Sequence, residues 1–131
     1  MSKAIEKLME EAHAIKDTRE RSCAIDALKA TAGYESIKSE ETGRDYAATG
    51  ILRAMRNRGI IGAVLHYATG SRGSAAFEYL RSHDAVQYSF ESVAIRHKNL
   101  FPGDVIAKAQ ERVDAPAPRR NRKAGARRAV K

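Results

Sequence analysis

The chain has 131 residues, 43% of them hydrophobic and 31% charged, with a formal net charge of +8 at pH 7. This size and apolar fraction predict one folded domain with its own core. No apolar run approaches the ~20 residues that cross a bilayer, and acids occupy the N-terminus where a signal peptide has its apolar centre. We therefore expect a cytoplasmic protein with no membrane partner. Cys23 is the single cysteine, which excludes an internal disulfide and predicts a small buried side chain.

Apolar residues recur at helical spacing in the first third of the chain. Residues 3–16 predict a first helix with Ser2 as its N-cap. Thr18 is expected to cap a second helix that stops at Gly33, because glycine is common just beyond helix ends. The polar segment 34–44 then predicts a loop or a short helical turn. The residues expected to be buried on these two helices are Ile5, Leu8, Met9, Ala12, Ile15, Cys23, Ile25, Leu28 and Ala32.

The middle of the chain predicts two more helices. One begins near residues 44–45 and ends in turn chemistry at residues 57–59. The apolar run 60–70 contains β-branched residues that suit a strand, but its apolar residues do not alternate and the chain offers no second strand to pair with. We therefore predict a buried helix that ends at Gly70.

The segment 70–74, Gly-Ser-Arg-Gly-Ser, resembles an anion-binding nest in outline. It lacks the spacing and the lysine of a nucleotide-binding P-loop, and the dinucleotide fingerprint is also absent. We interpret it as a turn between two helices, with Gly70 closing the first and Ser74 capping the second.

Three short helices are expected in the last part of the folded region. Ser74 precedes a helix that turns Phe77 and Leu80 inward, Ser89 caps the helix with the clearest pattern, and Asp104 caps a final one. The apolar stripe of the Ser89 helix consists of Phe90, Val93, Ala94, His97 and Phe101. The chain is thus predicted to be all-α, a compact bundle of six or seven short helices over residues 1–114.

The positive charge is concentrated at the C-terminus. Residues 115–131 contain five Arg, two Lys and no acid, which gives +7 and leaves +1 for residues 1–114. Pro116 and Pro118 oppose a helix, and the segment has too little apolar area to offset the entropy of ordering. We predict a disordered basic tail that contacts phosphates or serves solubility alone.

Within the folded region, residues 43–82 contain six bases, all arginine, and two acids. Arginine binds phosphate with a planar fork, so this block predicts either an anionic partner or ion pairs with the acidic residues 1–42. A helix-turn-helix is a further possibility, since the helix after Ser89 would present Gln87, Ser89, Glu91, Ser92, Arg96 and Lys98 outward. The predicted nucleic-acid contacts are Arg53, Arg56, Arg58, Arg72, Arg96, Lys98, Arg119, Arg120, Arg122, Lys123, Arg127 and Arg128.

The sequence offers no catalytic set. The four histidines do not lie four residues apart, and there is no second cysteine, so a metal site has no support. Adjacent carboxylates such as Glu10 and Glu11 point in different directions on a helix, and no nucleophile, base and orienting group occur together. We expect neither an enzyme nor a cofactor.

Size and charge together predict a small nucleic-acid-binding protein, with DNA favoured over RNA, of the regulatory or accessory kind found in phages and mobile elements. Two alternatives stay open. The chain could be an adaptor or inhibitor that binds a protein partner, or a second copy of itself, through the amphipathic helix 3–16. It could also be a structural component of a virion or another nucleoprotein, with its tail against the packaged nucleic acid.

Overall fold

A computed structural model describes residues 2–115 of the chain, except for the side chains of residues 71–74. The described residues are all-α, as predicted, with seven α-helices, two short 3₁₀ turns and no strand. The basic residues 116–131 lie outside the described part, so the prediction of a disordered tail is not tested. The helices are α1 Lys3–His13, α2 Thr18–Thr42, α3 Thr49–Arg58, α4 Ile60–Thr69, α5 Ser71–Ser82, α6 Phe90–Arg96 and α7 Gly103–Asp114, with 3₁₀ turns at Val86–Tyr88 and Lys98–Leu100.

The first helix uses its apolar face inside the monomer. Ser2 is the N-cap, as predicted, and its hydroxyl accepts a hydrogen bond from the backbone N–H of Ile5 at 3.3 Å. Ile5, Leu8 and Ala12 are buried in the core, where α1 packs against α2. Of the residues expected to dock a partner, Leu8 is buried and Met9 and Ile15 are partly buried, so the core uses much of this stripe, and a partner bound through residues 3–16 stays a prediction.

The second helix is much longer than predicted. It is capped by Asp17 rather than Thr18, and it continues through Gly33 to Thr42. The predicted loop over residues 34–44 is therefore wrong. Gly33 lies inside the helix because a neighbouring ring needs the space: a Cβ at this position would be 2.8 Å from the ring of Tyr88. The helix ends at Gly43, whose φ of +73° lies in the left-handed region that favours glycine.

The third helix begins later than predicted because side chains of α2 form hydrogen bonds with the backbone of the segment that precedes it. Glu35 of α2 is buried, and its carboxylate accepts a hydrogen bond from the backbone N–H of Ala48 at 2.8 Å. The Ser39 hydroxyl accepts one from the N–H of Tyr46 at 2.9 Å. These side chains satisfy backbone donors that a helix starting at residues 44–45 would otherwise use.

The apolar run at the centre of the chain is the buried helix α4, as predicted. It packs against α2, α3, α5, α6 and α7, and Ala63, Val64 and Ala68 are fully buried. Small residues at these positions allow several helices to approach the same element closely. Gly59, with a φ of +81°, separates α4 from α3 by a single residue.

The remaining helices agree with prediction in their order and differ at their ends. Helix α5 begins at Ser71, so the predicted cap Ser74 is inside it and the expected loop is reduced to the extended residue Gly70. Ser89 caps α6 as predicted, accepting a hydrogen bond from the N–H of Ser92 at 3.1 Å. Pro102 rather than Asp104 occupies the cap position of α7.

Candidate nucleic-acid interface

Three predicted contact residues form an exposed basic surface at the end of α3. Leu52 and Met55 face the core from this helix, and Arg53, Arg56 and Arg58 are exposed around the rest of its circumference. Within residues 2–115, none of the three guanidinium groups has an ion pair or a side-chain hydrogen bond. We refer to Arg53, Arg56 and Arg58 as the arginine surface.

The arginine surface lies in a segment of the chain without acidic residues, but two acidic residues face it across a groove. Residues 46–77 contain no Asp or Glu. A groove of about 530 Å³ is lined by residues of the first four helices, with Arg56 and Arg58 on one side and Glu11 and Glu20 on the other. These acids form no ion pair with the arginines in the part of the chain that the structure describes. The guanidinium groups thus remain available for an external anion.

Several other arginines of the folded region make internal contacts, whereas Arg19 and Arg44 are exposed and form no ion pair in the described part of the chain. Arg96, a predicted contact, donates to the Asp26 carboxylate at 2.8 and 3.0 Å. Arg81 contacts Glu78 at 3.6 Å and donates to the backbone carbonyl of Arg112. Arg96 is exposed, as predicted, but its guanidinium is paired with Asp26, and its contact with nucleic acid stays a prediction. His97 also hydrogen-bonds to Asp26, at 2.8 Å, so α2 and the end of α6 are joined by three polar contacts.

The predicted helix-turn-helix face is not formed as expected. Ser89 and Glu91 are buried rather than outward-facing, with 2% relative exposure each. Gln87 is exposed, but it lies in a 3₁₀ turn before α6, which has only seven residues. Lys98 is exposed in the 3₁₀ turn after α6. The side chain of Arg72 and the predicted contacts in residues 119–128 lie outside the part of the chain that the structure describes.

Glu91 is buried because it pairs with Arg112 of α7. The two side chains meet at 2.7 Å, and the guanidinium also donates to the Ala68 and Gly70 carbonyls at 3.3 and 3.0 Å. Arg112 therefore neutralises a buried carboxylate and closes the C-terminal end of α4. Burial nevertheless raises the pKa of Glu91 above its usual range. One feature of the sequence could have indicated that Arg112 points inward: it follows the buried Ala109 by three residues and so lies on the apolar side of α7.

A tyrosine cluster lies where the second half of α2 meets α5. Tyr34 packs edge-on against Tyr46 and Tyr79, with ring centroids 6.0 and 5.7 Å apart. The Lys38 ammonium lies 4.0 Å from the Tyr79 ring centroid, a cation–π contact. Burial raises the pKa of Tyr34. These residues were not predicted as a cluster, because Tyr34 and Lys38 fall in the segment expected to be a loop and Tyr79 lies far away in sequence.

His83 and Glu41 extend this cluster to the ends of the two helices. The Nδ1 atom of His83 lies 2.9 Å from the Tyr79 carbonyl oxygen, and its Nε2 atom lies 3.1 Å from the Glu41 carboxylate. Both neighbours are acceptors, so only the protonated imidazole donates to both. The Tyr79 carbonyl first, and Glu41 second, raise the pKa of His83. Hydrogen bonds from Tyr79 and then His83 lower the pKa of Glu41.

Cys23 is fully buried, as predicted, and burial raises the pKa of its thiol to about 12. The reactive form of cysteine is the thiolate, so this side chain is a packing residue. Among the described residues, no group of three His, Cys, Asp or Glu side chains is arranged to hold a metal ion. The helices of residues 2–115 include none with the length and apolar character that a membrane span requires.

Comparison with known proteins yields no relationship. No protein family matches the chain, and no curated protein or solved structure matches it significantly.

Proposed function

We propose that the protein binds nucleic acid through the arginine surface together with the basic residues 115–131. The observation that carries the proposal is the cluster of three exposed arginines on α3, Arg53, Arg56 and Arg58, which form no ion pair within the described region and lie in the acid-free segment 46–77. Guanidinium groups that the fold does not use are suited to phosphate oxygens.

The tail supports the proposal through its charge. Residues 115–131 carry +7, while residues 1–114 carry +1. A segment of this kind increases affinity by releasing counterions from nucleic acid, without selecting a sequence. The arginine surface would then orient the folded region on the strand or duplex. A cytoplasmic location, where nucleic acid is accessible and Cys23 stays reduced, is part of the proposal, as is a binding rather than an enzymatic role.

The proposal is tested by measuring affinity of the full chain for duplex DNA, single-stranded DNA and RNA at several salt concentrations. We expect a steep loss of affinity with salt, since each phosphate contact contributes about 0.9 to the logarithmic slope on duplex DNA. Replacing the five tail arginines by glutamine should lower the slope by several units. Arg53→Glu with Arg56→Glu should weaken binding at least tenfold while leaving the thermal midpoint nearly unchanged.

A matched charge reversal separates local contact from overall charge. Lys29 and Lys108 are exposed on α2 and α7, and changing both to glutamate alters the net charge as much as the paired arginine changes do. This control should weaken binding much less. The absence of binding to all three nucleic acids at low salt, or equal losses in both double variants, would contradict the proposal.

A further inference from the structure

The outer face of α3 is one continuous polar stripe. Thr49, Arg53 and Asn57 lie four residues apart, Gly50, Arg53 and Arg56 lie three residues apart, and all five are exposed. The opposite side of the helix is anchored in the core by its buried leucine and methionine. Among the described elements, α3 packs chiefly against α4. It thus lies at an edge of the bundle, and of its outer residues Arg56 lines the groove that also contains Glu11 and Glu20.

The dimensions of this helix suit a nucleic-acid groove. Ten residues correspond to about 15 Å of helix, with a diameter of about 10–12 Å including side chains. The major groove of B-form DNA, about 12 Å wide, admits such a helix. The major groove of an RNA duplex is too narrow and deep for side chains to read. The shape therefore favours duplex DNA as the occupant.

The chemistry of the stripe is that of base recognition as well as phosphate binding. Arginine donates two hydrogen bonds to guanine, asparagine pairs with adenine in the same bidentate way, and the threonine methyl packs against the thymine methyl. Gly50 has no side chain and lets the backbone approach the groove floor. No carboxylate lies on α3 to repel the phosphates.

We propose that α3 is a recognition helix that enters the major groove of duplex DNA, where Arg53, Arg56 and Asn57 contact base edges. This inference rests on the proposed nucleic-acid binding and adds that binding is selective for duplex sequence. Arg58, at the end of α3 beside the Gly59 turn, contacts a phosphate at the groove edge. The reading helix is thus α3 rather than the helix that follows Ser89.

The test begins with selection from a random duplex DNA library by the full-length protein. Affinities are then measured at one fixed salt concentration for the selected duplex, a scrambled duplex, the selected single strand and an RNA duplex of the same sequence. We expect the selected duplex to bind at least 100-fold more tightly than the other three. Sequence-specific proteins typically exceed that ratio.

Charge-conserving variants separate base reading from electrostatic attraction. Arg53→Lys with Arg56→Lys keeps the charge and loses the planar fork, so affinity for the selected duplex should fall about 10- to 100-fold while affinity for scrambled DNA changes less than about threefold. Asn57→Ala should relax selection at one base position. Arg19→Lys with Arg44→Lys, at exposed positions outside α3, is the matched control and should leave both affinities unchanged.

The possible failures are distinguishable. Equal binding to selected and scrambled duplexes, equal binding to the RNA duplex, or a parallel loss of specific and nonspecific affinity in the lysine variant would overturn the recognition helix and leave nucleic-acid binding in place. No binding to any nucleic acid would overturn both proposals. Thermal unfolding of each variant checks that these exposed substitutions leave the fold intact.

Discussion

Replacing Arg112 with methionine should destabilise the protein strongly, because it leaves the Glu91 carboxylate buried without a counter-charge. Glu91 is 2% exposed, and Arg112 approaches it at 2.7 Å while also donating to carbonyls at the end of α4. Removing one partner of a buried ion pair costs about 3–5 kcal/mol. For a folded region of this size, that corresponds to a fall of about 10–20 °C in the thermal midpoint.

The pH dependence of this loss identifies its cause. Burial raises the pKa of Glu91 even in the paired state, and without Arg112 the pKa should rise further. A folded-state pKa above the unfolded value means that protonation favours the folded form, so the variant should regain stability as the pH falls. The loss should therefore be larger at pH 8 than at pH 5, measured by urea unfolding at both values.

Two further variants complete the test. Glu91→Gln combined with Arg112→Met should be more stable than Arg112→Met alone at pH 8, since the buried charge is gone. Lys108→Met, on the same helix at an exposed position, should change the free energy of unfolding by less than about 0.5 kcal/mol. A loss below about 1 kcal/mol for Arg112→Met, or a loss that is equal at both pH values, would refute the reasoning.

Three other predictions follow from the packing and the polar contacts. Gly33→Ala should lower the free energy of unfolding, measured with urea, by about 1–3 kcal/mol, because the alanine Cβ would lie 2.8 Å from the Tyr88 ring. Asp26→Asn should lower the free energy of unfolding by about 1–2 kcal/mol at neutral pH. Burial opposes ionisation of Asp26, but hydrogen bonds from its basic partners outweigh burial and lower its pKa. The stability difference between wild type and variant should therefore disappear as the pH falls through that lowered pKa. The pKa of His83 is raised in the folded protein, so its contact with Glu41 stabilises the fold at a pH below the unfolded-state pKa of about 6.5. This stabilisation is lost as the pH rises through the folded-state pKa. His83→Gln should therefore lower the thermal midpoint at pH 6 and leave it unchanged at pH 9.

Each of these has its own check. In a Tyr88→Ala background, Gly33→Ala should become neutral or favourable, since alanine forms helix better than glycine by about 1 kcal/mol; a stabilised Gly33→Ala single variant would contradict the steric argument. An Asp26→Asn variant as stable as wild type at pH 7 would exclude a stabilising role for its partners. A pH-independent effect of His83→Gln would show that packing, rather than protonation, explains its contribution.

Local patterns predicted the elements whose signals are contained in one short segment. The Ser2 and Ser89 caps, the apolar stripe of α1 and the buried run of α4 all appear as predicted. The outward position of the α3 arginines was also predictable, since Leu52 and Met55 mark the buried side of the same helix.

The largest errors come from residues whose roles depend on distant partners. Gly33 was expected to stop a helix, and it serves instead as the point where Tyr88 approaches α2. Glu91 was placed outward by its polarity, because Arg112 is 21 residues away and its approach is invisible along the chain. The pairing of Arg96 with Asp26, 70 residues earlier, was likewise not visible in the sequence.

The amino-acid sequence by itself determined the all-helical class, the order of most helices and the concentration of positive charge at the C-terminus, because helical periodicity, capping and composition act over a few neighbouring residues. The tertiary structure alone decided which polar side chains are buried in pairs and which arginines remain unpaired within the described region. That distinction arises from contacts between residues far apart in sequence. Burying a charged side chain costs free energy, and this cost is offset only when the fold brings an oppositely charged partner close to it.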